Sequence, residues 1–482
     1  MSTDASNRKF SRRQLLAAGG GLGVVAAGAG LLPRWRGKVL HPLLGADAAS
    51  AAGALDPKIF RHLIGSDGWI SIPMGTVTDD TGRVVGPDSL APAGRTTYIF
   101  GFRDVSLLDD PTGVFNVKPP GTTTNPKILA QKGHVQHSAP LLYFDENDTI
   151  QIMLSNLALA QRPDLFDPHT IHWHGFRNAL PLFDGVPEMS ISVPVGSDFP
   201  FYYHPTDPGT YMYHCHNEDV EHVQMGMSGV VFVRPAQNKT GNGAGAPISR
   251  YNGGPASAPL GYVYNDGVAP GNAVSTAYDR EFVIFLSEFW AVSHYDDAHI
   301  QVSDWSDYHA DFYMMNGRSY PDTLAPNGGG TDLSTGALIA PAGRPDLTSQ
   351  PLSSLVQCNA GDKVLLRVVN LGYTQASMKL TGIPMHVVGK DATPLRGIGA
   401  GGLRNGADTS YTTDTVYLGA GESYDAIFTA PPHTGAGYDT YLLFNNSLGA
   451  LNKPGGAGLG GQMTEIRVFA AGGVPAQTAP NT

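Results

Sequence analysis

Two His-x-His triplets constrain the middle of this chain. His172-Trp173-His174 and His214-Cys215-His216 each separate two imidazoles by one residue, and the alternation of a strand puts both rings of such a triplet on one face. Seven of the sixteen histidines (His169, His172, His174, His204, His214, His216 and His222) fall within about a ninth of the chain, where an even scatter would leave about two. A strand-based scaffold agrees with the composition. Glycine (60) and proline (36) make up about a fifth of the 482 residues, and only 15% are charged, against a usual ~25%. The excess stays below the level of low-complexity disorder, hydrophobic residues hold at 41%, and no Gly-X-Y period suggests collagen. A turn-rich, all-β protein of two or three domains is expected.

Strand patterns follow. Thr97–Phe102, Ala139–Phe144, Thr149–Leu154, Phe199–Tyr203, Gly209–Tyr213 and Gly229–Val233 read as one sandwich. Residues 53–95 show punctuation but little periodicity. A Gly/Ala/Pro/Asn-rich stretch over 236–278 reads as a linker or long surface loop. The rhythm restarts with Glu281–Phe289, Val364–Val369, Met385–Val388, Val416–Leu418 and Tyr441–Phe444. The expected division is 1–52 as an export segment, 53–235 as a first domain with its core at 96–235, 236–278 as linker, and 279–482 as a second domain. No helix-length amphipathic segment stands out in either domain.

The net charge of −11 argues against nucleic acid and against a polybasic membrane surface. Arg12-Arg13 ahead of the Ala/Gly-rich segment from Ala17 to Leu32 looks like a twin-arginine export signal. That segment is short and poor in apolar residues for a membrane span. The mature protein is therefore expected outside the cytoplasm, periplasmic or extracellular, without a stable membrane span.

Within the histidine-rich stretch, His214 and His216 share one strand face and Cys215 takes the other. A thiolate on one side and imidazoles on the other would build two metal sites back to back. His222 and Met227 follow on a loop long enough to return to the Cys215 sulfur, and with His169 they complete a Cys, two-His and weak axial Met set. That is the ligand set of a blue-copper centre. Structural zinc also takes Cys and His, but rarely Met, and the chain has no Cys-x-x-Cys pair. His204, His134 and His137 read as surface residues or as residues behind the ligands. Cys358 gets no role.

These residues resemble the multicopper oxidase and copper nitrite reductase superfamily, built from cupredoxin-like Greek-key β-sandwich domains. The likeness is carried by His169–Gly175, Asp184-Gly185-Val186-Pro187 and Gly209–His216, and more weakly by Asn316–Asp322, Ala360–Asn370 and Gly421–Asp425. It implies type 1 copper on His169, Cys215, His222 and Met227. It further implies a type 2 or type 2/type 3 copper site, the catalytic one, on His172, His174, His214 and His216, with no cofactor beyond the metal. Six residues separate Cys215 from His222, more than in laccases and fewer than in nitrite reductases.

A complete trinuclear cluster takes four His-x-His pairs, and this chain has two. His294, His299, His309, His386 and His433 form none. In the nitrite reductases the position of His172 holds an aspartate. The resemblance implies an exported, laccase-like oxidoreductase that takes electrons at type 1 copper and passes them through His214-Cys215-His216 to a second site reducing O2. The alternatives are a nitrite reductase-like homotrimer and a non-catalytic electron-transfer protein. The reductant would be a small molecule, a metal ion or a redox protein, and the acceptor O2 or nitrite. Glu218, Asp219 and Glu221 between the ligands would attract cations or a basic partner, or are solvated loop charges.

Overall fold

The computed structural model describes residues 59–112, 121–240, 248–266, 275–399, 406–433 and 435–482. The export segment expected over 1–52 lies outside them. Among the described residues no helix is long and apolar enough to cross a membrane.

The fold is all-β, two cupredoxin-like sandwiches. In the first, one sheet runs in the order Thr97–Asp104, Ile59–Ile70, Ile150–Asn156, Asp198–Tyr203, and the other Leu142–Asp145, Ser228–Arg234, Gly209–His214, His172–His174. Their inner faces share one core, in which Tyr98, Phe100, Ile152 and Phe201 meet Phe144, Trp173, Tyr213 and Val231. The second sandwich has a seven-stranded sheet that includes Arg280–Phe289, Lys363–Asn370 and Glu422–Thr429. It faces a five-stranded sheet built on Met463–Phe469 and Tyr438–Asn445. Ile284, Leu366, Val368 and Phe428 pack there against Met378, Leu418, Leu443 and Ile466.

Three features depart from the sequence expectation. Ile59–Ile70 is a central strand, paired parallel with Ile150–Asn156 and antiparallel with Thr97–Asp104. It is buried along nearly its whole length, so it shows no polar–apolar alternation, and Gly65, Asp67 and Gly68 imitate a turn. The expected linker is in part packed structure. Leu260, Val263, Tyr264 and Tyr278 are buried in one cluster with Leu365, Val388 and Ile427. The expected loop between Cys215 and His222 contains a short helix, Asp219–Met225, that carries His222.

A buried ionic network ties the strand Gly209–His214 to the second sandwich. Arg367 donates to Glu281 at 2.8 Å, to the Thr210 hydroxyl at 2.8 Å and to Asp425 at 3.2 Å. Thr210 donates to Asp425 at 2.5 Å, and Tyr264 donates to the same carboxylate at 2.6 Å. Buried charges are tolerated when paired and hydrogen-bonded in this way. Thr210 lies on the strand that ends in His214, so the network holds the base of the site-bearing strand.

Two other histidines are locked in the interior. His137 is fully buried rather than superficial, 3.1 Å from the Ser287 hydroxyl, and His294 lies 2.6 Å from the Tyr98 carbonyl. Burial pushes their pKa values down to about 3 and about 4. Between the unfolded value near 6.5 and these folded values, the unfolded chain binds protons that the folded chain refuses. Stability from this source is complete above pH ~6.5 and lost as pH falls. The unfolding temperature should drop between pH 7 and pH 4, and His294→Gln should flatten part of that slope. An identical pH profile in the variant would contradict the assignment.

Candidate metal centres

The first group forms among buried residues of the first sandwich. His169 lies in a bridge with Val193, donating from its amide at 3.0 Å and accepting at 2.8 Å. Cys215 directly follows the strand Gly209–His214, and its amide donates to the Met227 carbonyl at 3.1 Å. The Met227 amide donates to the His222 carbonyl at 2.9 Å. The turn thus folds back through the short helix, bringing His222 to the sulfur and the Met227 backbone against that of Cys215. Cys215 Sγ lies 3.2 Å from His222 Nδ1, and one ligand atom from each of His169, Cys215 and His222 falls within 4.8 Å of the others. All three residues and Met227 are buried.

Gly65, on the central strand Ile59–Ile70, explains how this fits. A Cβ at Gly65 would sit 2.7 Å from the His169 ring and 3.4 Å from the Met227 methyl. That places His169 and Met227 against the same backbone spot, and only glycine leaves them room.

Electrostatics prepare the thiol. Burial alone would raise its pKa, but the charge of His222, followed by His169, holds it well below the usual range. Burial would lower the His222 value, and the Cys215 thiolate reverses this and raises it. Each group thus favours the charged form of the other, while His169 Nδ1 is buried without a hydrogen-bond partner. A soft thiolate, two convergent imidazoles and a thioether make a donor set that copper fits. The two cysteines are free, and Cys358 is a buried thiol whose pKa burial pushes up to about 12.

The second group is set by register. His172–His174 pairs antiparallel with Gly209–His214, placing His172 opposite His214 and Trp173 opposite Tyr213. Trp173 points into the core and stacks on Tyr203 at 4.4 Å, and its histidine neighbours take the other face. His172, His174 and His214 bring a nitrogen each within 4.8 Å of the others. His216 lies outside that triple but beside it, with its ring 5.1 Å from His172 and 5.6 Å from His214.

Backbone carbonyls orient two of these rings. His172 Nδ1 donates to Asp184 at 2.7 Å and His214 Nδ1 to Cys215 at 2.8 Å, which leaves each Nε2 as the lone-pair nitrogen. Burial pushes the His214 pKa down to about 3 and lowers His172 and His174. Neutral imidazoles with oriented lone pairs also suit copper. The remaining histidines join neither group: His204 is exposed beside the Asp148 carbonyl, and His299 and His433 face Asp88 and Asp439.

Two carboxylates near the first group were not legible in the sequence. Asp167 approaches His222 Nε2 at 3.9 Å, and it forms a further group with Glu218 and His222. Asp297 comes from the helix Ala291–Ala298 and pairs with Arg162 at 3.2 Å. Burial, reinforced by Glu221, pushes its pKa up to about 8. No spacing near the ligands announces a residue so distant in the chain.

The second sandwich also closes on the histidines. Gly421 has φ +78°, and a Cβ there would lie 2.8 Å from His174 Nε2. Gly421→Ala should displace His174 and weaken copper binding at the second group by about tenfold or more, on the scale of losing a residue that orients a ligand. The intense absorption of the Cys215 site should be unchanged. Metal content with visible absorption checks this, and full retention of copper would contradict it.

Comparison with known proteins bears on the family of the chain. A family model described as multicopper oxidase matches residues 118–238, and another of the same description matches 280–460. Laccase-3 of Botryotinia fuckeliana is 24% identical over 321 residues, 66% of this chain and 53% of its own. Laccase 1 of Metarhizium guizhouense (strain ARSEF 977) is 32% identical over 108 residues, 22% of this chain and 16% of its own. The chain thus spans about half the length of the first relative and less of the second. Among solved structures, the multicopper oxidase mgLAC shares the fold with a TM-score of 0.51 at 20% identity, covering 87% of this chain and 88% of its own. The chain belongs to the multicopper oxidase superfamily, whose cofactor is copper.

Proposed function

We propose that the chain is an exported, laccase-like oxidoreductase that takes electrons from a reductant at the Cys215 group and delivers them to O2 at the histidine group. The observation that carries this reading is the shared tripeptide. Cys215 turns its sulfur toward His169 and His222, while His214 and His216 stand beside His172 and His174. Copper bound at the two groups supplies the one-electron chemistry that thiolate and imidazole lack.

The protein's own residues have distinct tasks in this scheme. His169, Cys215, His222 and Met227 would hold the entry copper among buried side chains. The His214-Cys215-His216 backbone provides a short covalent path between the groups. His172, His174, His214 and His216 are the residues that face the acceptor. The Asp184 and Cys215 carbonyls keep two of those rings aimed. Asp167, Glu218 and Glu221 lie at the His222 edge and favour a cationic reductant or a basic redox partner. Export rests on Arg12-Arg13, and the two-domain division at 53–235 and 279–482 belongs to the same proposal.

The convergence of His172, His174 and His214 favours this reading over a protein that keeps the Cys215 site alone. It also admits a variant in which the second site holds a single ion. Copper stoichiometry separates these outcomes. Two or more coppers per chain are expected. Two without strongly coupled spins would point to one ion on the histidines, and three or more with EPR-silent copper to a cluster. One copper per chain, with no signal beyond the blue site, would overturn the catalytic proposal.

A further inference from the structure

His222 turns one ring nitrogen to the Cys215 group and keeps the other in the interior. Nδ1 lies 3.2 Å from Cys215 Sγ, so it is the nitrogen that a metal held there would take. Nε2 is then the nitrogen that carries the ring proton. The side chain is wholly buried, and Nε2 has no hydrogen-bond partner. A buried N–H costs stability unless an acceptor answers it.

Packing limits where that acceptor can stand. The His169 ring lies 5.1 Å from the His222 ring and the Phe100 ring 5.8 Å away, edge-on, and neither offers an oxygen. Among the described residues one carboxylate comes within ion-pair distance of Nε2, that of Asp167 at 3.9 Å. Its side chain is 15% exposed, and among the described residues it makes no other ion pair. Arg162, on the same segment, is already engaged by Asp164 at 2.8 Å and Asp297 at 3.2 Å.

The main chain at Asp167 is fixed by the site itself. Its carbonyl accepts from the buried Asn156 side-chain amide at 2.8 Å, and the same amide donates to the Val193 carbonyl at 3.0 Å. That Val193 carbonyl also accepts from the His169 amide at 3.0 Å. Asp167 and the ligand His169 thus share one frame. Glu218 joins Asp167 and His222 in a group of oxygen and nitrogen atoms, but a cation there would need a lone pair on Nε2. With Nδ1 given to the Cys215 group, Nε2 is a donor, and the carboxylate facing it is an acceptor.

We propose that Asp167 is a positioning residue for His222: its carboxylate answers the Nε2 proton, keeps Nδ1 aimed at Cys215, and lowers the reduction potential of copper held there. This rests on reading His169, Cys215, His222 and Met227 as a copper site. A carboxylate behind a ligating imidazole fixes the ring and makes it a stronger donor. Its negative charge favours Cu(II) over the less charged Cu(I).

The test is a spectroelectrochemical titration of the thiolate-to-copper band in copper-loaded full-length protein. Asp167→Asn should keep the band while the preference for Cu(II) over Cu(I) falls about tenfold, a rise of about 59 mV for one electron. Asp167→Glu keeps the charge and should stay closer to the wild type. Asp219→Asn removes an equal charge from the exposed start of the same helix and should shift the potential less. If Asp167→Asn fails to hold copper, retention in Asp167→Glu supports the role and loss in both contradicts it. An unchanged potential in Asp167→Asn, or an equal shift in Asp219→Asn, would overturn the inference and leave the copper site standing. A copper-loaded wild type without the band would overturn the reading beneath it, and the inference with it.

Discussion

The antiparallel register between His172–His174 and Gly209–His214 is the constraint on which both candidate metal groups depend. With His172 opposite His214, three imidazoles meet on one face of the sheet while Trp173 and Tyr213 pack into the core. The next residue, Cys215, leaves the strand in the opposite sense. A one-residue slip would turn Trp173 outward and the histidines inward, so core packing and ligand placement are enforced together. The stack of Trp173 on Tyr203 therefore acts on the site as much as on stability.

Around that register the protein removes freedom from several candidate ligands. Gly65 makes room for His169 and Met227, the fold-back of Met227 onto Cys215 closes the turn, and Gly421 presses on His174. The Arg367–Glu281–Asp425–Thr210 network fixes the foot of the same strand to the second sandwich. An ion pair this deep gives little net stability over apolar packing, but breaking one partner is costly. Here it joins the strand that ends in His214 to the sandwich that supplies Gly421.

The site was legible in the sequence to the extent that its ligands are local. His-x-His spacing reports a strand face directly, and Cys215, His222 and Met227 lie within one turn of chain. Ile59–Ile70 was not legible, because a strand buried on both sides lacks alternation and its glycines serve neighbouring side chains. Gly65 looks like a loop residue until His169 is seen against it. Asp297 and Gly421 reach the two groups from the second sandwich, and pairings over such separations leave no mark in local pattern. The stretch 236–278 misled for a different reason: its turn residues lie between buried ones, Leu260, Val263 and Tyr264.

The central claim is that Cys215 is a thiolate ligand joining two distinct copper-binding groups. Visible absorption with copper content, measured on the wild type and on Cys215→Ser, tests it most directly. The account predicts that the variant loses the intense thiolate-to-copper band and copper from the first group, while His172, His174, His214 and His216 retain theirs. Persistence of the band in Cys215→Ser would contradict the account.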